Sequence, residues 1–228
     1  RRTLGPESML GSAELFTFQD KLRAVGQDVE FVYDPDFPIL YTKRDLEVAQ
    51  LLGEMLVLRP TAMKVGKGKK QKEVPITVMN IKELLKKDPS GSKNPLFYSD
   101  WYGGESFATD EKLQGGWAIV SKKPLAGSYS NTYADQSAQL LAHGVDLSNF
   151  RVDHANAMRR TAVEAVFDTM FSYSVTGTKP LSDKYDWTST QASGGRQVFV
   201  GRFGEDGLVV FRWYPDHSAP SFGVVTQR

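Results

Sequence analysis

The sequence contains no cysteine, and this absence excludes several kinds of chemistry. A chain without thiols has no disulfide scaffold, no thiolate zinc site and no cysteine nucleophile. The formal net charge is only +1 over 228 residues, so the overall charge does not predict binding to nucleic acid or to a membrane. No apolar run is long enough to span a bilayer, and the opening stretch RRTLGPESML is unlike a signal peptide. We therefore expect a cytoplasmic or virion-associated protein, with a secreted protein lacking disulfides as an open alternative.

The first hundred residues alternate between helical and strand patterns. AELFTFQDKLRAVG has apolar residues at helical spacing, and VEFVY alternates like a short strand that DPDFP stops. TKRDLEVAQLLGEMLVL predicts a helix that begins at Thr42 and stops before Pro60. The lysine-rich run KVGKGKKQK, residues 64–72, lacks both the spacing of a P-loop and aromatic residues for stacking on bases, so we interpret it as a solvated loop.

The second half of the chain is separated from the first by a loop rich in Pro, Ser and Gly, and we place a domain boundary within residues 88–115. After it come a strand in GGWAIVSKKPL, a helix in NTYADQSAQLLAHG and a helix in RRTAVEAVFDTMFSYSVTG. Short strands follow, with a hairpin turn predicted at Glu205–Asp206. The predicted fold class is α+β, with a small mixed α/β region over residues 1–100 and a second domain over residues 101–228.

The order of elements over residues 115–228 resembles that of the C-type-lectin-like fold. TAVEAVFDTMF, YDWTST, VFVGRF, DGLVVFRW and the final FGVV resemble the lectin-like branch that includes formylglycine-generating enzymes and Lcl-type domains. The branch also contains the variable proteins of diversity-generating retroelements, in which exposed positions on the last sheet bind ligand and change freely. The resemblance implies a non-catalytic ligand-binding protein whose partner is a protein or another macromolecule.

The resemblance also implies which positions form a scaffold and which form a display face. The scaffold positions would be Leu208, Val210, Phe222 and Val224. The display positions would be Arg196, Gln197, Phe199, Arg202, Val209, Phe211, Arg212, Tyr214, Asp216, His217 and Ser221.

The last hairpin, GLVVFRWYPDHSAPSFGVV, concentrates residue types that carry binding hot spots. Both of its alternation sets contain apolar residues, so the sequence leaves open which set faces inward and whether the hairpin is simply core. Trp213 shares the alternation of Val209 and Phe211, and we expect it to pack inward. Trp187 in YDWTST is expected to be a buried anchor. The strand at 116–120 is expected to lie near the terminal segment 222–226.

Catalytic signatures are weak. Formylglycine-generating enzymes depend on active-site cysteines, which this chain lacks. The histidines His143, His154 and His217 have no metal-binding spacing, so structural or surface roles are favoured for them. GxSxG is absent, and so are the EPN, QPD and WND motifs with which vertebrate lectins bind sugar through calcium. We predict no cofactor and no metal.

Two alternative functions remain open from the sequence. FYSDWYGGESF, residues 97–107, places five aromatic residues with Asp100 and Glu105 around a double glycine. This cluster is either an interdomain segment that buries its rings or the site of an enzyme at a cleft near Trp101–Glu105. A structural component of a phage or virus is a further alternative. Neither the ligand nor the oligomeric state follows from the sequence.

Overall fold

A five-stranded mixed sheet lies at the centre of the computed structural model, which describes residues 8–34 and 36–228. The first seven residues of RRTLGPESML and Pro35 of DPDFP lie outside the described residues. The sheet has the strand order β1 (Met9–Leu10), β3 (Glu54–Arg59), β6 (Gly116–Ser121), β12 (Thr226–Gln227) and β7 (Met158–Arg159). It therefore combines segments from the beginning, the middle and the end of the chain.

Two smaller sheets flank the central one. The four-stranded sheet has the order β10 (Gly207–Trp213), β9 (Arg196–Gly204), β8 (Tyr185–Ala192) and β11 (Phe222–Gly223). Strands β9 and β10 form the hairpin predicted around Glu205–Asp206. The three-stranded sheet contains β2 (Val29–Val32), β4 (Ala62–Val65) and β5 (Lys72–Pro75). The lysine-rich run was predicted to be a loop throughout, but only residues 66–71 form the turn between β4 and β5, because Lys64 and Val65 belong to β4 and Lys72 belongs to β5.

Six α-helices complete the described part of the chain, and the fold class is α+β. They are α1 (Ser12–Ala24), α2 (Lys43–Leu52), α3 (Val78–Leu84), α4 (Ser106–Thr109), α5 (Tyr133–Asn149) and α6 (Ala162–Thr176). Helix α6 begins with a capping box, because the Thr161 hydroxyl accepts the Glu164 N–H and the Glu164 carboxylate accepts the Thr161 N–H. No described helix combines the length and the apolar character needed to cross a membrane.

The helix predicted from Thr42 to the residue before Pro60 is too long. Helix α2 begins after Thr42 as expected, but it ends at Leu52, where Gly53 adopts the left-handed conformation. The following residues form β3, every one of which is buried. A short, continuously apolar run fits a buried strand as well as a buried helix, so periodicity alone does not distinguish them.

The hydrophobic core extends across the boundary predicted within residues 88–115. Phe18 and Val57 belong to the same buried cluster as Phe167 and Val210. The loop that we predicted as a linker runs along the free edge of β10, where the Leu208 N–H donates to Leu96 O and the Tyr98 N–H donates to Leu208 O. It thereby covers backbone groups that an edge strand would leave unpaired. A division at residue 100 does not separate two cores.

The terminal segment 222–226 divides between two sheets. Gln227 of β12 pairs with Val120 of β6, so the end of the chain does lie beside the predicted strand. Phe222 instead pairs with Tyr185 in the four-stranded sheet. The expectation that the strand at 116–120 lies near the segment 222–226 therefore holds at Thr226, which shares the central sheet with β6, and is wrong at Phe222 and Gly223, which belong to the four-stranded sheet.

A buried network of ion pairs connects the central sheet to the rest of the fold. The Arg59 guanidinium lies 2.7 Å from carboxylate oxygens of both Glu164 and Asp168. Arg160 lies 3.1 Å from Asp168 and 2.8 Å from Asp186. All five side chains are buried, and burial raises the pKa of the Asp186 carboxyl against the lowering effect of Arg160. The network joins β3, α6 and β8.

Candidate binding site at the edge of the four-stranded sheet

One face of the four-stranded sheet carries an aromatic cluster. Strand register places Trp187 of β8 opposite Phe199 of β9, and Phe199 opposite Phe211 of β10. The ring of Phe222 packs 4.8 Å from that of Phe199. The other face presents Val210 to the main core. Because apolar residues are needed on both faces, alternation along β10 does not reveal which face reaches solvent.

The expected scaffold positions are all buried, but two of the expected display positions are buried as well. Leu208, Val210, Phe222 and Val224 lie in the interior. Phe199 is only 5% exposed because the rings of neighbouring aromatic residues cover it. Gln197 is only 3% exposed because it lies on the inner strand β9, between Gln191 of β8 and Trp213 of β10. The prediction that Gln197 and Phe199 belong to an exposed face is therefore wrong.

Trp213 departs from its prediction in the opposite direction. It was expected to pack inward, but it is 43% exposed at the end of β10. Its ring lies beside that of His217, with a centroid distance of 5.2 Å. Trp213 therefore adds a large aromatic surface that the predicted display face did not include.

An open depression of about 350 Å³ lies at this end of β10. Phe211 and Tyr214 are 37% and 53% exposed beside it. The lining combines residues of the expected display face with Trp101, which comes from the segment 97–107 that was considered as an enzyme site. The lining residues are Trp101, Arg196, Phe211, Arg212, Trp213 and Tyr214.

Trp101 lies along the free edge of β10. Its indole Nε1–H donates to the Val210 carbonyl at 2.8 Å, which satisfies an acceptor of the edge strand. The indole ring meets Phe211 edge-to-face at 5.3 Å, and the Arg212 guanidinium stacks 4.5 Å from its centroid. These contacts fix the floor of the depression before any ligand binds.

Glu105 and Ser193 hold Arg212 in place. Glu105 was expected to act only in the alternative enzyme site, and no role was predicted for Ser193. The Glu105 carboxylate accepts hydrogen bonds from the Arg212 guanidinium and, at 2.8 Å each, from the Ser193 N–H and hydroxyl. Arg212 Nη1 also donates to Ser193 Oγ at 2.7 Å. Burial raises the pKa of the Glu105 carboxyl, but the hydrogen bonds from Ser193 and the charge of Arg212 outweigh it and leave the pKa below its ordinary value.

A second arginine–aromatic pair forms the other side of the depression. The Arg196 guanidinium lies 4.9 Å from the centroid of the Tyr214 ring, and its Nη2 donates to the Tyr214 hydroxyl at 3.1 Å. Arg196 begins β9 and Tyr214 follows β10, so the hairpin brings them together. Planar guanidinium groups beside exposed rings suit the recognition of carboxylate, amide or aromatic groups.

The remaining expected display positions lie outside the depression. Arg202 is exposed but lies about 20 Å along β9 from Arg196, given about 3.3 Å per residue. Val209 is half-buried against the aromatic cluster. Beyond the strand, Asp216 is exposed, while His217 and Ser221 are half-buried.

No three His, Cys, Asp or Glu side chains in residues 8–34 and 36–228 are grouped so that they could hold a metal ion. Of the three histidines, His154 lies 3.0 Å from the buried Asp45 carboxylate, and His217 packs on Phe222 with a centroid distance of 5.6 Å. The polar side-chain groups that line the depression are the guanidinium groups of Arg196 and Arg212, the Tyr214 hydroxyl and the indole N–H groups of Trp101 and Trp213. This arrangement can form hydrogen bonds and stacking contacts with a ligand.

Comparisons with known proteins do not assign the chain to a family. No family model matches the chain, and neither a curated protein nor a solved structure matches it. The lectin-like resemblance therefore stays a prediction, and the geometry of the depression is the basis for a functional hypothesis.

Proposed function

We propose that this chain is a non-catalytic binding protein whose depression around Trp101, Arg212 and Tyr214 receives an anchoring group of a protein partner. The observation that carries the proposal is the exposure of three aromatic side chains, Phe211, Trp213 and Tyr214, within four consecutive positions. Aromatic residues and arginine are the types most enriched among interface hot spots.

The rigidity of the site supports binding through preformed contacts. Arg212 is held by Glu105 and Ser193 and stacks on Trp101, so its guanidinium has few conformations to lose. Arg196 and Tyr214 restrain one another in the same way. A surface that is ordered before association avoids part of the entropy cost of binding. The solvent-exposed parts of these rings and guanidinium groups remain available for contact with a partner.

The same geometry argues against the enzyme alternative at Trp101–Glu105. A carboxylate that is paired with arginine and has a lowered pKa is a weak general base. Ser193 donates its hydroxyl hydrogen to that carboxylate, and none of the histidines named above contacts it. We therefore favour a positioning role for Glu105 and Ser193, with Arg212 as the residue that they present.

A lectin-like variable protein of a diversity-generating retroelement is the more specific form of this proposal. It rests on the resemblance of YDWTST, VFVGRF and DGLVVFRW, and on the concentration of exposed side chains at the end of the last hairpin. In such a protein Arg196, Phe211 and Tyr214 would differ between copies of the gene, while the buried Trp187 and Phe199 would not. Sequencing the gene from many cells of one lineage tests this form, and variation spread evenly over buried and exposed positions would count against it.

The binding proposal itself is tested by site-specific photocrosslinking. A benzoylphenylalanine at position 214 should capture a protein partner in extracts of the cells that natively contain the chain, and the same residue at position 51 should not. Leu51 is a suitable control because it is 80% exposed on α2. The captured protein is then purified, and its affinity for the parent chain is measured.

Matched variants decide whether the aromatic residues carry the affinity. Trp213→Ser with Tyr214→Ser should weaken binding at least about tenfold, as expected for hot-spot residues. Leu51→Ser with Leu141→Ser removes exposed apolar groups elsewhere and should leave the affinity unchanged. Thermal unfolding of both variants should stay close to that of the parent. Equal capture at positions 214 and 51, or an unaltered affinity of the Trp213/Tyr214 variant, would overturn the proposal.

A further inference from the structure

A second cavity, of about 610 Å³, lies at the opposite end of β8 and β9 from the depression. Its walls come from the segment after β6, the C-terminal turn of α6 and the loop between α6 and β8. The volume is within the range of about 300–1,000 Å³ that small-molecule sites occupy. The proposed partner-binding function does not use this cavity.

The cavity has an apolar interior. Met55, Pro124 and Leu181 line it together with the ring of Tyr129 and with Pro180. Met55 and Pro124 are buried, and the other three are half-buried, so the wall continues the protein core to the surface. An apolar wall of this kind favours a ligand with a hydrocarbon or aromatic body.

The loop that supplies Pro124 and Tyr129 is fixed against the terminal segment. The Leu125 N–H donates to Val224 O at 2.8 Å, and the Val224 N–H donates to Ser128 Oγ at 3.1 Å. A Cβ atom at Gly223 would lie only 2.6 Å from Pro124 Cβ, so the loop approaches the sheet as closely as a glycine permits. The part of the cavity wall that this loop forms is therefore held in place by hydrogen bonds to the Val224 backbone.

Among the described residues, four lysines and one acidic residue line this cavity. The lysines are Lys122, Lys123, Lys179 and Lys184, and the acidic residue is Asp183, which leaves a local excess of three positive charges in a chain whose net charge is +1. Asp183 lies 3.5 Å from Lys184 Nζ. Among the residues that the structure describes, the other three lysines form no ion pair within 4.0 Å.

Two of these lysines are held over aromatic rings, one that lines the cavity and one that lies in the core behind it. Lys184 Nζ lies 5.1 Å from the centroid of Tyr129, and Lys179 Nζ lies 4.8 Å from that of Phe203. The C-terminal turn of α6 contributes carbonyl groups, which do not attract an anion. Selectivity for a negative group would therefore come from the lysines.

We propose that this cavity binds a small organic anion, whose apolar body lies against Met55, Leu181 and Tyr129 and whose carboxylate, sulfonate or phosphate group meets the lysines at the rim. The apolar wall supplies affinity that does not depend on salt. The lysines supply a preference for the anion over a neutral molecule of the same shape. The site is separate from the depression at Trp101.

Two fluorescent probes with the same aromatic body test the proposal. 8-Anilinonaphthalene-1-sulfonate is the anionic probe, and N-phenyl-1-naphthylamine is its neutral counterpart. Titrations are made at about 0.15 M salt, where charges more than about 8 Å apart are largely screened. We expect the sulfonate to bind the parent chain at least about tenfold more tightly than the neutral probe.

A triple variant, Lys122→Gln with Lys123→Gln and Lys184→Gln, should lose at least about tenfold in affinity for the sulfonate and keep its affinity for the neutral probe. Lys179 is retained because it also donates to Gly204 O. The matched control replaces Lys69, Lys70 and Lys72 by Gln, which removes the same charge from exposed positions in the turn after β4 and at the start of β5. Replacing the three cavity lysines by Arg should preserve sulfonate binding.

Several outcomes would overturn the proposal. The two probes could bind the parent equally, or neither could bind it. The cavity variant could keep the parental affinity for the sulfonate, which would place the probe elsewhere. The control variant could lose as much affinity as the cavity variant, which would make the effect one of overall charge. Circular dichroism and thermal unfolding of each variant establish that it is folded.

Discussion

Trp187 lies at the base of the aromatic cluster that supports the candidate binding site. It is fully buried, and its ring packs 5.7 Å from Tyr133 and 5.4 Å from Phe222. Trp187→Ala should lower the free energy of unfolding by about 3–5 kcal/mol, because it leaves a large cavity. Denaturant titration measures this, with Tyr214→Ala as the exposed aromatic control, for which a change of about 0.5 kcal/mol or less is expected. If Trp187→Ala had the same free energy of unfolding as the parent chain, the assignment of Trp187 to the core would be contradicted.

Asp45 makes part of the stability depend on pH. Burial would raise the pKa of its carboxyl, but hydrogen bonds from the His154 imidazole and N–H and from Thr42 hold the pKa well below its ordinary value. A lowered pKa contributes stability that is fully present above the unfolded-state value of about 3.9 and is lost as the pH falls toward the folded-state value.

Asp45→Asn should therefore cost about 1.5–3 kcal/mol near neutral pH, as expected for hydrogen bonds to a charged group. The difference in unfolding free energy between parent and variant should stay constant down to about pH 5 and shrink below about pH 4. Denaturation at a series of pH values measures it. A difference that is the same at pH 7 and pH 3 would show that the charge of Asp45 is not responsible.

The display positions show how far single residues could be predicted. Arg196, Phe211, Arg212 and Tyr214, which the resemblance placed on a display face, line the depression. Gln197, Phe199 and Trp213 were placed wrongly because both faces of the sheet carry apolar side chains, and burial then depends on what covers each face. Ser193 was missed and Glu105 was considered only for an enzyme site, because their contact with Arg212 exists only after the fold brings positions 105, 193 and 212 together.

At the scale of elements, the features that depend on local contacts were predictable. Thr42 and Thr161 cap α2 and α6, and Gly177 follows α6 in the left-handed conformation, all within a few residues of the chain. Strand β3 was not predictable in this way. Its residues become a strand because β1 and β6 pair with it on both sides, and these partners are distant in sequence.

The buried ion pairs make β3, α6 and β8 depend on one another. Arg59→Met would leave Glu164 without its 2.7 Å partner and Asp168 with only Arg160. We expect a loss of about 3–5 kcal/mol, because removing one partner leaves buried charge uncompensated. Lys64→Met breaks the exposed pair with Glu30 and should cost at most about 1 kcal/mol. Equal stabilities of the two variants in denaturant titration would argue against the network.

At the scale of the whole molecule, the two predicted domains share a sheet and a core. Strand β3 lies between β1 and β6 in the central sheet, and α1 packs on α6 with a ring distance of 5.7 Å between Phe18 and Phe171. A change of composition within residues 88–115 suggested a linker, but composition reports only that a segment is irregular. It does not report that Leu96 and Tyr98 bind the edge of β10.

A fragment of residues 101–228 should therefore fail to fold alone. It would keep β6, α6 and the four-stranded sheet but lose β3, which pairs with β6 along six consecutive positions, and it would expose Phe167 and Phe171 where α1 and β2 now pack. An uncovered apolar face and a new sheet edge favour aggregation over a cooperative native state. We expect the full chain to unfold in a single transition and the fragment to show neither a cooperative transition nor dispersed amide resonances. A fragment that unfolds cooperatively with native-like resonances would establish an autonomous domain over residues 101–228, and the core would then have to be regarded as two units in contact.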